Sequence, residues 1–262
     1  MKNREISLRR ERIVQLVYER GRLTTREASL LLNITQETVR QDFNALARLG
    51  IIKRVHGAAI PQMTDSVNAI QVRETINYQG KAKIAEAAFY YLQDFLTCRK
   101  KGSDCLIGLD IGSTVSMLSE FLARERGLQV VTNSYRVIQH MIRSDNAVTV
   151  IGGNLYSHEL AFFEGDIPED IQRRGIDLMF LGSSGVYGHD GICTRTLRES
   201  EMKRKMIRIS KKKVALVDAS KFSVQSQVET VPFEQLDLLI TDKNIDVDVL
   251  ERIRKKVEVV LV

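Results

Sequence analysis

The sequence has few cysteines, no long apolar run and no sign of a leader segment. Its three cysteines, Cys98, Cys105 and Cys193, form no C-x-x-C pair and leave an odd number. That pattern argues against a disulfide framework and predicts a reducing, cytoplasmic compartment. No apolar run approaches the ~18 residues that a membrane helix needs, so we expect no membrane partner. The first residues, MKNREISLRRER, are too charged for a signal peptide.

Other absences exclude whole classes of chemistry. The chain has neither the G-x-x-x-x-G-K-[ST] loop nor the G-x-G-x-x-G fingerprint of nucleotide-binding folds. Its histidines have no metal-ligand spacing with one another or with the cysteines, so we expect no metal and no cofactor. The composition, 44% hydrophobic and 27% charged, is that of a soluble globular protein and excludes collagen-like and disordered classes.

The positive charge is confined to one end of the chain. Residues 1–60 hold 12 Lys and Arg against 6 Asp and Glu, which accounts for the whole formal charge of +6. Residues 61–262 are electrically balanced. A basic segment of this size is either a solvated surface or the electrostatic footprint of a protein that binds a polyanion such as nucleic acid.

The first sixty residues carry the pattern of a winged helix-turn-helix. Apolar residues recur at helical spacing in RRERIVQLVYERG, and Thr24 followed by Glu27 is a capping box that starts a second helix. Thr35 is a candidate N-cap for a third helix, TQETVRQDFNALARLG, with Val39, Phe43 and Leu46 facing inward. The stretch IIKRVHGAAI then predicts a β-hairpin wing. Two short helices joined by a three- to four-residue turn predict a helix-turn-helix.

Polar side chains on the third helix and the wing can reach base edges or phosphates. The predicted contacts with double-stranded DNA are Thr35, Gln36, Thr38, Arg40, Gln41 and Asn44 in the helix, and Lys53, Arg54 and His56 in the wing.

This segment resembles the winged helix of the DeoR family of bacterial sugar-metabolism regulators. The matching landmarks are the Arg9-to-Ile13 opening, Thr38-Val39-Arg40 with Asp42, and Arg54, His56 and Gly57 in the wing. Many members have an arginine in place of Gln41 and a glycine in place of Ala58.

The remaining chain predicts a larger α/β domain. We expect a linker over residues 61–80 and an effector domain over 81–262, beyond the DNA-binding domain of 1–60. Apolar, β-rich runs alternate with helical stretches, which predicts a mostly parallel sheet. The Lys211–Lys213 run is predicted to be a solvated turn. The expected strands are CLIGLD, LQVVTN, AVTVIGG, LMFLGS, KVALVDAS, LDLLITD and VEVVLV.

Clusters of small polar residues follow six of these strands, as in DIGST, TNS and GGN. Ligands of open α/β sheets bind outside the carboxyl ends of the strands, where backbone N–H groups favour anions. A single cluster is an ordinary turn, but six together favour a small, polar, phosphorylated ligand.

The same segments, with FEGD, ESEMKRKM and LVDASKF in family order, resemble the DeoR effector domain, whose fold is similar to ribose-5-phosphate isomerase and to CoA transferases. The resemblance implies that Gly112, Ser113 and Thr114 cradle a phosphate, with Lys203 or Lys221 as cationic partners. It also implies that Asp110, Asn133 and Glu201 take sugar hydroxyls. The loop residues Ser134, Gly152, Gly153 and Gly182 complete the predicted effector site.

An isomerase-like fold raises the alternative of a sugar-phosphate isomerase. Such an enzyme needs a carboxylate base beside its substrate. The loop after the fourth strand reads Gly182-Ser183-Ser184-Gly185 and has no carboxylate, so we expect no enzyme and no catalytic residue. Fold alone does not establish activity.

The sequence thus predicts a DNA-binding repressor of a carbohydrate catabolic operon that a phosphorylated sugar releases from its operator. An activator or dual regulator stays open, because no residue marks the sign of regulation. Paired half-sites multiply affinity, so we expect a homo-oligomer, a dimer or a tetramer.

Overall fold

The structure, a computed structural model, describes residues 6, 9–10, 12–14, 16–17, 20–48, 51–61, 76–98, 104–157 and 159–262. The chain divides into two compact units. The first comprises residues 1–78 with 157–159, and the second comprises 79–156 with 160–262. Most of the predicted linker, residues 62–75, lies outside the described residues, and residues 78–80 form the first turn of a helix.

The first unit is built from helices and a small antiparallel sheet. Its described residues between 6 and 20 are helical. They are followed by β1 (Leu23–Thr24), α1 (Thr25–Leu32), α2 (Gln36–Arg48), β2 (Ile52–Val55) and β3 (Ala58–Pro61). β3 lies between β1 and β2 and pairs with both, so the predicted wing is a hairpin closed at His56 and Gly57.

The ends of α1 follow from its sequence. The Thr24 side chain accepts a hydrogen bond from the N–H of Glu27, and the Glu27 carboxylate accepts one from the N–H of Thr24. This is the predicted capping box, which satisfies two N–H groups that a helix start leaves without partners. Asn33 ends the helix in the left-handed region, at φ 51°. Only residues 33–35 separate α1 from α2, as a helix-turn-helix requires.

One apolar face holds the first unit together. Val39, Phe43 and Leu46 of α2 recur at spacings of four and three and are at most 2% exposed. They pack with Ile13 and Val17 of the first helical segment in a single buried cluster. The predicted inward positions Val39, Phe43 and Leu46 are confirmed.

The second unit is an α/β domain around a parallel sheet. Its helices are α3 (Tyr78–Thr97), α4 (Ser113–Leu122), α5 (Tyr135–Met141), α6 (Glu169–Arg174), α7 (Leu197–Arg208) and α8 (Val247–Arg254). Its strands are β4 (Leu106–Leu109), β5 (Gln129–Thr132), β6 (Ala147–Val150), β7 (Gly153–Tyr156), β8 (Ala161–Glu164), β9 (Ile176–Leu181), β10 (Gly191–Thr194), β11 (Ser210–Leu216), β12 (Val228–Pro232), β13 (Leu238–Thr241) and β14 (Val259–Leu261).

Seven strands form the main sheet in the order β14-β13-β11-β9-β4-β5-β6, and every neighbouring pair is parallel. They are the seven strands that the sequence predicts. The chain runs outward from β4 to β6 and then returns to β9 on the other side of β4. The strand order therefore reverses between β4 and β9, and such a switch point is where doubly wound sheets bind ligands.

The sheet is covered on both faces. Leu106, Val131 and Met179 belong to one buried cluster, which includes Met202 and Met206 of α7. Ile107 and Val130 belong to the other, which includes Ile84 of α3. Successive side chains of β4 and of β5 therefore point to opposite faces of the sheet, one to each cluster.

Several elements differ from the sequence prediction. Two antiparallel pairs, β7 with β8 and β10 with β12, lie outside the parallel sheet, and helices α3 and α6 were not predicted. Lys211–Lys213 is not a turn but part of β11, which is longer than its apolar core because Ser210 and Lys212 also pair with β9. Lys211–Lys213 offers no apolar period to predict a strand, whereas α3 has buried residues at helical spacing, Ile84, Ala85, Ala88 and Leu92, that the sequence prediction missed.

Candidate functional site

The polar side chains predicted to contact DNA lie on the side of α2 away from its buried face. Thr38 is half-buried. The exposed ones at or in α2 are Thr35, Gln36, Arg40, Gln41 and Asn44.

The start of α2 is ordered by its own hydroxyl groups. The Oγ1 of Thr35 accepts a hydrogen bond from the N–H of Thr38 at 3.2 Å, and the two hydroxyls are 2.9 Å apart. Thr35 is therefore the predicted N-cap. Thr35, Gln36 and Glu37 are exposed, so a phosphate can approach this helix start.

Arg40 is paired only weakly. Its Nη1 lies 3.0 Å from Oε2 of Glu37, and the two side chains are 51% and 64% exposed. Exposed pairs of this kind contribute at most about 1 kcal/mol. The guanidinium can therefore exchange Glu37 for a DNA phosphate at little cost.

The wing is joined to α2 through Arg54. Its Nη1 donates to Oδ1 of Asn44 at 2.5 Å, and its guanidinium lies 6.0 Å from the centroid of the Phe43 ring. Lys53 and His56 are exposed. Arg54 and Asn44 were predicted as separate DNA contacts. Their hydrogen bond joins α2 to the wing.

Asp42 has a role that the sequence did not reveal. It is 1% exposed and accepts from Nε of Arg9 at 2.6 Å and from Nε of Arg10 at 2.8 Å. The hydrogen bond to Asp42 raises the pKa of the Arg9 guanidinium. Two of the basic residues therefore hold the first helical segment against α2, and part of the positive charge serves the fold.

The switch point of the second unit holds a buried ion pair. Nζ of Lys203, on α7, lies 2.6 Å from Oδ2 of Asp110, which directly follows β4. The same oxygen accepts from the N–H of Gly182, and Lys203 also donates to the Gly182 carbonyl at 2.7 Å. Three predicted site residues are thus brought together, with the two charged side chains 1% and 4% exposed.

The start of α4 lies beside this ion pair. Gly112, at φ 139°, precedes the helix, and no side chain caps it. A Cβ on Gly182 would lie 2.9 Å from the carbonyl oxygen of Ile111, so the loops after β4 and β9 approach as closely as glycine allows. We call Asp110, Gly112, Ser113, Gly182 and Lys203 the switch-point crevice. Thr114 is buried in the first turn of α4.

The loop after β5 is next to the crevice. Leu109 pairs with Thr132, and the Thr132 hydroxyl donates to the Leu109 carbonyl at 2.6 Å. Asn133 and Ser134 follow, each 2% exposed. The Ser134 hydroxyl accepts from the N–H of Val137 and caps α5, so its role in this structure is structural.

Gly152 and Gly153 lead into the β7–β8 hairpin. A Cβ on Gly153 would lie 2.1 Å from the Phe163 carbonyl oxygen, so the hairpin itself requires this glycine. The hairpin ends at Glu164, a non-glycine residue at φ 67°.

The Glu164 carboxylate connects the hairpin to α7. It accepts hydrogen bonds from Asn154 at 2.7 Å, Tyr156 at 2.9 Å and Arg198 at 3.1 Å. These bonds, with that of Asn154 the largest, lower the pKa of Glu164. The Arg198 guanidinium also lies 3.9 Å from the centroid of the Tyr156 ring. The sequence named none of these four residues as a contact.

Glu201 and Lys221, the last two residues of the predicted effector site, differ in exposure. Glu201 is exposed on α7, and its carboxylate makes no hydrogen bond or ion pair within the described part of the chain. Lys221 is 9% exposed in a 3-10 helix after β11. A third buried lysine, Lys81 at 0%, lies in α3 and was missed because that helix was not predicted.

The described residues contain neither a reactive Cys193 thiol nor a candidate metal site. Burial is the main cause that raises the pKa of the Cys193 thiol to about 12, which keeps it protonated and unreactive. Among these residues no three His, Cys, Asp or Glu side chains are grouped as metal ligands. No helix in the described ranges is long and apolar enough to cross a membrane.

Comparison with protein families decides the identity of both units. A model of the DeoR-like helix-turn-helix domain matches residues 9–63, and a model of the DeoR C-terminal sensor domain matches residues 76–243. The chain belongs to the DeoR family. The predicted family and the predicted order of a helix-turn-helix unit and an α/β domain are confirmed.

Relatives in this family are similar over nearly their whole length. The chain is 29% identical to an L-fucose operon activator of Haemophilus influenzae, covering 92% of this chain and 93% of the relative. It is 30% identical to the HTH-type transcriptional regulator GlpR of Haloferax volcanii, covering 94% and 93%. It is 26% identical to a putative aga operon transcriptional repressor of Escherichia coli O157:H7, covering 98% and 94%. These relatives are transcription regulators rather than enzymes.

Solved structures are more distant. A ribose 5-phosphate isomerase A from Neisseria gonorrhoeae has a TM-score of 0.38 and 17% identity, covering 56% of this chain and 54% of that chain. This likeness is too remote to bear on function. The DeoR-family chain is a transcription regulator with a helix-turn-helix unit ahead of a sensor domain.

Proposed function

We propose that this regulator represses a carbohydrate catabolic operon and that a phosphorylated sugar relieves the repression. The observation that carries the proposal is the switch-point crevice, where an uncapped helix start lies beside the buried Lys203–Asp110 ion pair. Backbone N–H groups at a helix start bind phosphate. The other predicted effector residues remain proposals with it.

DNA recognition is assigned to α2 and the wing. The exposed basic groups Arg40 and Lys53 and the half-buried Arg54 lie on the first unit with exposed amide and hydroxyl groups. Phosphate contacts position the unit, and amide and guanidinium groups read bases. Two such units in a homo-oligomer would bind paired half-sites.

Coupling between the two functions requires differential affinity. The sugar phosphate must bind one conformation of the regulator better than the other, because a ligand with equal affinity for both shifts no population. Repression is favoured over activation because repressors are among the similar regulators, although one relative is an operon activator. A reporter under the control of its own operator measures the sign directly.

The DNA assignment is tested by replacing two arginines. Arg40→Ala with Arg54→Ala should weaken operator binding in a gel shift and lower the salt slope by about 2, since each phosphate contact contributes about 0.9. Arg173→Ala is the matched control, because that arginine is 75% exposed and pairs with Glu169 on α6. An unchanged salt slope in the double variant contradicts the assignment.

The effector assignment is tested at the start of α4. Ser113→Ala removes one hydroxyl donor from the crevice and should weaken sugar-phosphate binding about fivefold to tenfold. Thermal shift with a panel of pentose and hexose phosphates measures the effect, and operator binding without effector should not change. Ser144→Ala is the control, since its hydroxyl bonds only the Met141 carbonyl at the end of α5. Equal shifts in both variants would mean that the phosphate binds elsewhere.

The isomerase alternative has a separate test. The Ser184 hydroxyl donates to the Cys193 carbonyl at 2.9 Å, and the Ser183 hydroxyl donates to that of Gly185 at 2.9 Å. The loop after β9 thus offers no general base. We expect no turnover of pentose or hexose phosphates, and measurable isomerisation would favour the enzyme.

A further inference from the structure

The parallel sheet of the second unit has an open edge at β6. This strand is the last in the strand order and pairs with β5 on one side. No strand of the described chain pairs with its other side. Ala147 and Val150 are exposed, and Val148 and Thr149 are half-buried. An edge strand of this kind has backbone N–H and C=O groups that can pair with a further strand.

The register with β5 determines which backbone groups of β6 point outward. The N–H groups of Ala147 and Ile151 both donate to carbonyls of the chain segment that contains β5. Thr149, two residues from each, faces β5 in the same way. The N–H and C=O groups of Val148 and Val150 therefore face away from β5. Within the described ranges these outward groups make no hydrogen bond.

β6 lacks the features that keep an edge strand from pairing. Such features are a charged side chain, a proline, a bulge or a covering segment. β6 reads Ala-Val-Thr-Val, and its pairing with β5 is continuous over all four residues. At the opposite edge, β14 is three residues long and directly follows the exposed Glu258. Of the two edges, β6 is the one suited to pairing.

Exposed apolar side chains extend the surface around β6. Val150 is 38% exposed, and Leu155 of β7, the next strand along the chain, is 50% exposed. Ile142 is 74% exposed at the end of α5, a helix that contacts β6. A single exposed apolar residue is ordinary, but three on and beside an unpaired strand favour a contact surface.

We propose that β6 pairs with β6 of a second copy of this chain, antiparallel and about a two-fold axis. The axis makes the two contact surfaces identical, as in most homodimers. Val148 lies opposite Val150 of the partner subunit, and each such pair exchanges both backbone hydrogen bonds. Thr149 lies on the axis, opposite Thr149 of the partner subunit. The two parallel sheets then form one continuous sheet.

The bounds of β6 select this register. Other symmetric registers that pair the outward groups move the axis to Val148 or to Val150. They require Asn146 or Gly152 to be part of the strand, but Asn146 lies in a bend and Gly152 follows the end of β6. The residues from Asn146 to Gly152 carry no charge, so like charges do not oppose each other near the axis.

This contact deepens the proposed function, because it supplies the homo-oligomer on which binding to paired half-sites relies. A helix-turn-helix does not itself indicate which surface joins two copies. The contact through β6 involves neither the switch-point crevice nor the residues assigned to DNA.

A proline on the outward side of β6 tests the contact. Val150→Pro removes an N–H that faces away from β5, so the sheet within one copy keeps its hydrogen bonds. Each copy loses one hydrogen bond to the other, and sedimentation equilibrium of the full-length protein should give a dissociation constant about thirtyfold higher. Circular dichroism checks that the variant folds. Thr149→Lys, which places two like charges opposite each other on the axis, is the second variant if it does not.

The matched control is a proline at the other edge of the sheet. The Glu258 carbonyl accepts from the N–H of Leu239 in β13, so the N–H of the next residue, Val259, points outward. Val259→Pro should leave the dissociation constant unchanged. A wild-type protein that stays monomeric overturns the proposal, and so does a dimer that Val150→Pro leaves intact or that Val259→Pro dissociates instead.

Cysteine cross-linking tests the register. Thr149→Cys is made in a chain with Cys98 and Cys105 replaced by serine. Opposite residues in the expected pair have Cα atoms about 4.5 Å apart, within the range of a disulfide, so mild oxidation should link the two copies. Val148→Cys is the matched control and should link more slowly, because two copies of that residue lie on a diagonal of about 7 Å. Equal rates, or no link at Thr149, overturn the proposed pairing.

The contact and the proposed function fail in different ways. Sedimentation and cross-linking need neither operator DNA nor a sugar phosphate. If the dimer forms through β6 but binds no operator, the DNA assignment is wrong and the contact stands. If operator binds while the β6 variants leave the dissociation constant unchanged, the copies associate through another surface and the proposal is overturned.

Discussion

The two units of this regulator differ in where their charged side chains lie. Among the described residues of the first unit, Asp42 is the one buried charged side chain, and the basic excess lies at the surface. Residues 61–262 carry no net charge, yet the second unit buries seven charged side chains in its described part. These are Lys81, Lys203, Lys221, Asp110, Asp177, Asp218 and Asp242.

The contrast between exposed and buried charges matches the proposed ligands, which are a long DNA for the first unit and a small sugar phosphate for the second. A polymer such as DNA is reached by many exposed charges in water, where salt screens each contact. A small ligand must instead be recognised after it leaves water, and buried, pre-oriented groups act there in a lower dielectric. An anionic ligand of the sensor domain would therefore not depend on the net charge of that domain, because buried, pre-oriented groups can provide the attraction.

We expect the largest change in stability when the buried Lys203–Asp110 ion pair is broken. Lys203→Met should reduce the free energy of unfolding by about 4 kcal/mol, because Asp110 would remain buried without its cation. Adding Asp110→Asn should recover most of the loss. Urea unfolding followed by circular dichroism measures both, and a single-variant loss below about 1 kcal/mol would mean that water reaches this pair.

A smaller effect is expected in the first unit. Asp42→Asn should reduce the free energy of unfolding by about 2 kcal/mol, since Arg9 and Arg10 are 26% and 35% exposed and can regain water. The same urea experiment applies, with operator binding as a second readout for the first unit. Glu37→Gln, at an exposed pair, is the control and should change stability by less than about 0.5 kcal/mol.

The smallest effect is expected where a lysine of the second unit is exposed. Lys211 lies 2.8 Å from Asp177 but is 60% exposed, and Asp177 also accepts from the N–H of Leu106. Lys211→Met should therefore cost less than about 1 kcal/mol, and added salt should reduce the difference. A decrease in the free energy of unfolding as large as that of Lys203→Met would contradict this prediction. It would show that the position of an ion pair in the sheet, rather than its burial, determines how much it stabilises the fold.

Sequence prediction succeeded where one local pattern carries the information. The seven parallel strands are short apolar runs, and the capping box of α1 is read from Thr24 and Glu27 alone. The predicted DNA contacts fall on the exposed side of α2 because Val39, Phe43 and Leu46 fix the buried side. The structure brings Asp110, Gly112 and Gly182 close together, as expected of polar loops after parallel strands that share one edge, and their role in effector binding stays a prediction.

Prediction failed where a residue's role depends on a partner far away in the chain. Lys211–Lys213 lies in a strand because β9 pairs with it, although nothing in three lysines favours a strand. The β7–β8 hairpin depends on the close approach of Gly153 to Phe163. Asp42 matched a family pattern, but its ion pairs with Arg9 and Arg10 span more than thirty positions.

The sequence by itself determined the two-unit organisation, the helix-turn-helix, the seven strands and the confinement of positive charge to residues 1–60. These features depend on periodicity, capping and composition, which act over a few neighbouring residues. Only the tertiary structure decided that Lys203 pairs with Asp110 across 93 positions and that β6 lies at an edge of the sheet. Both depend on which strands lie side by side, and that order is set by packing of the whole sheet rather than by any local segment.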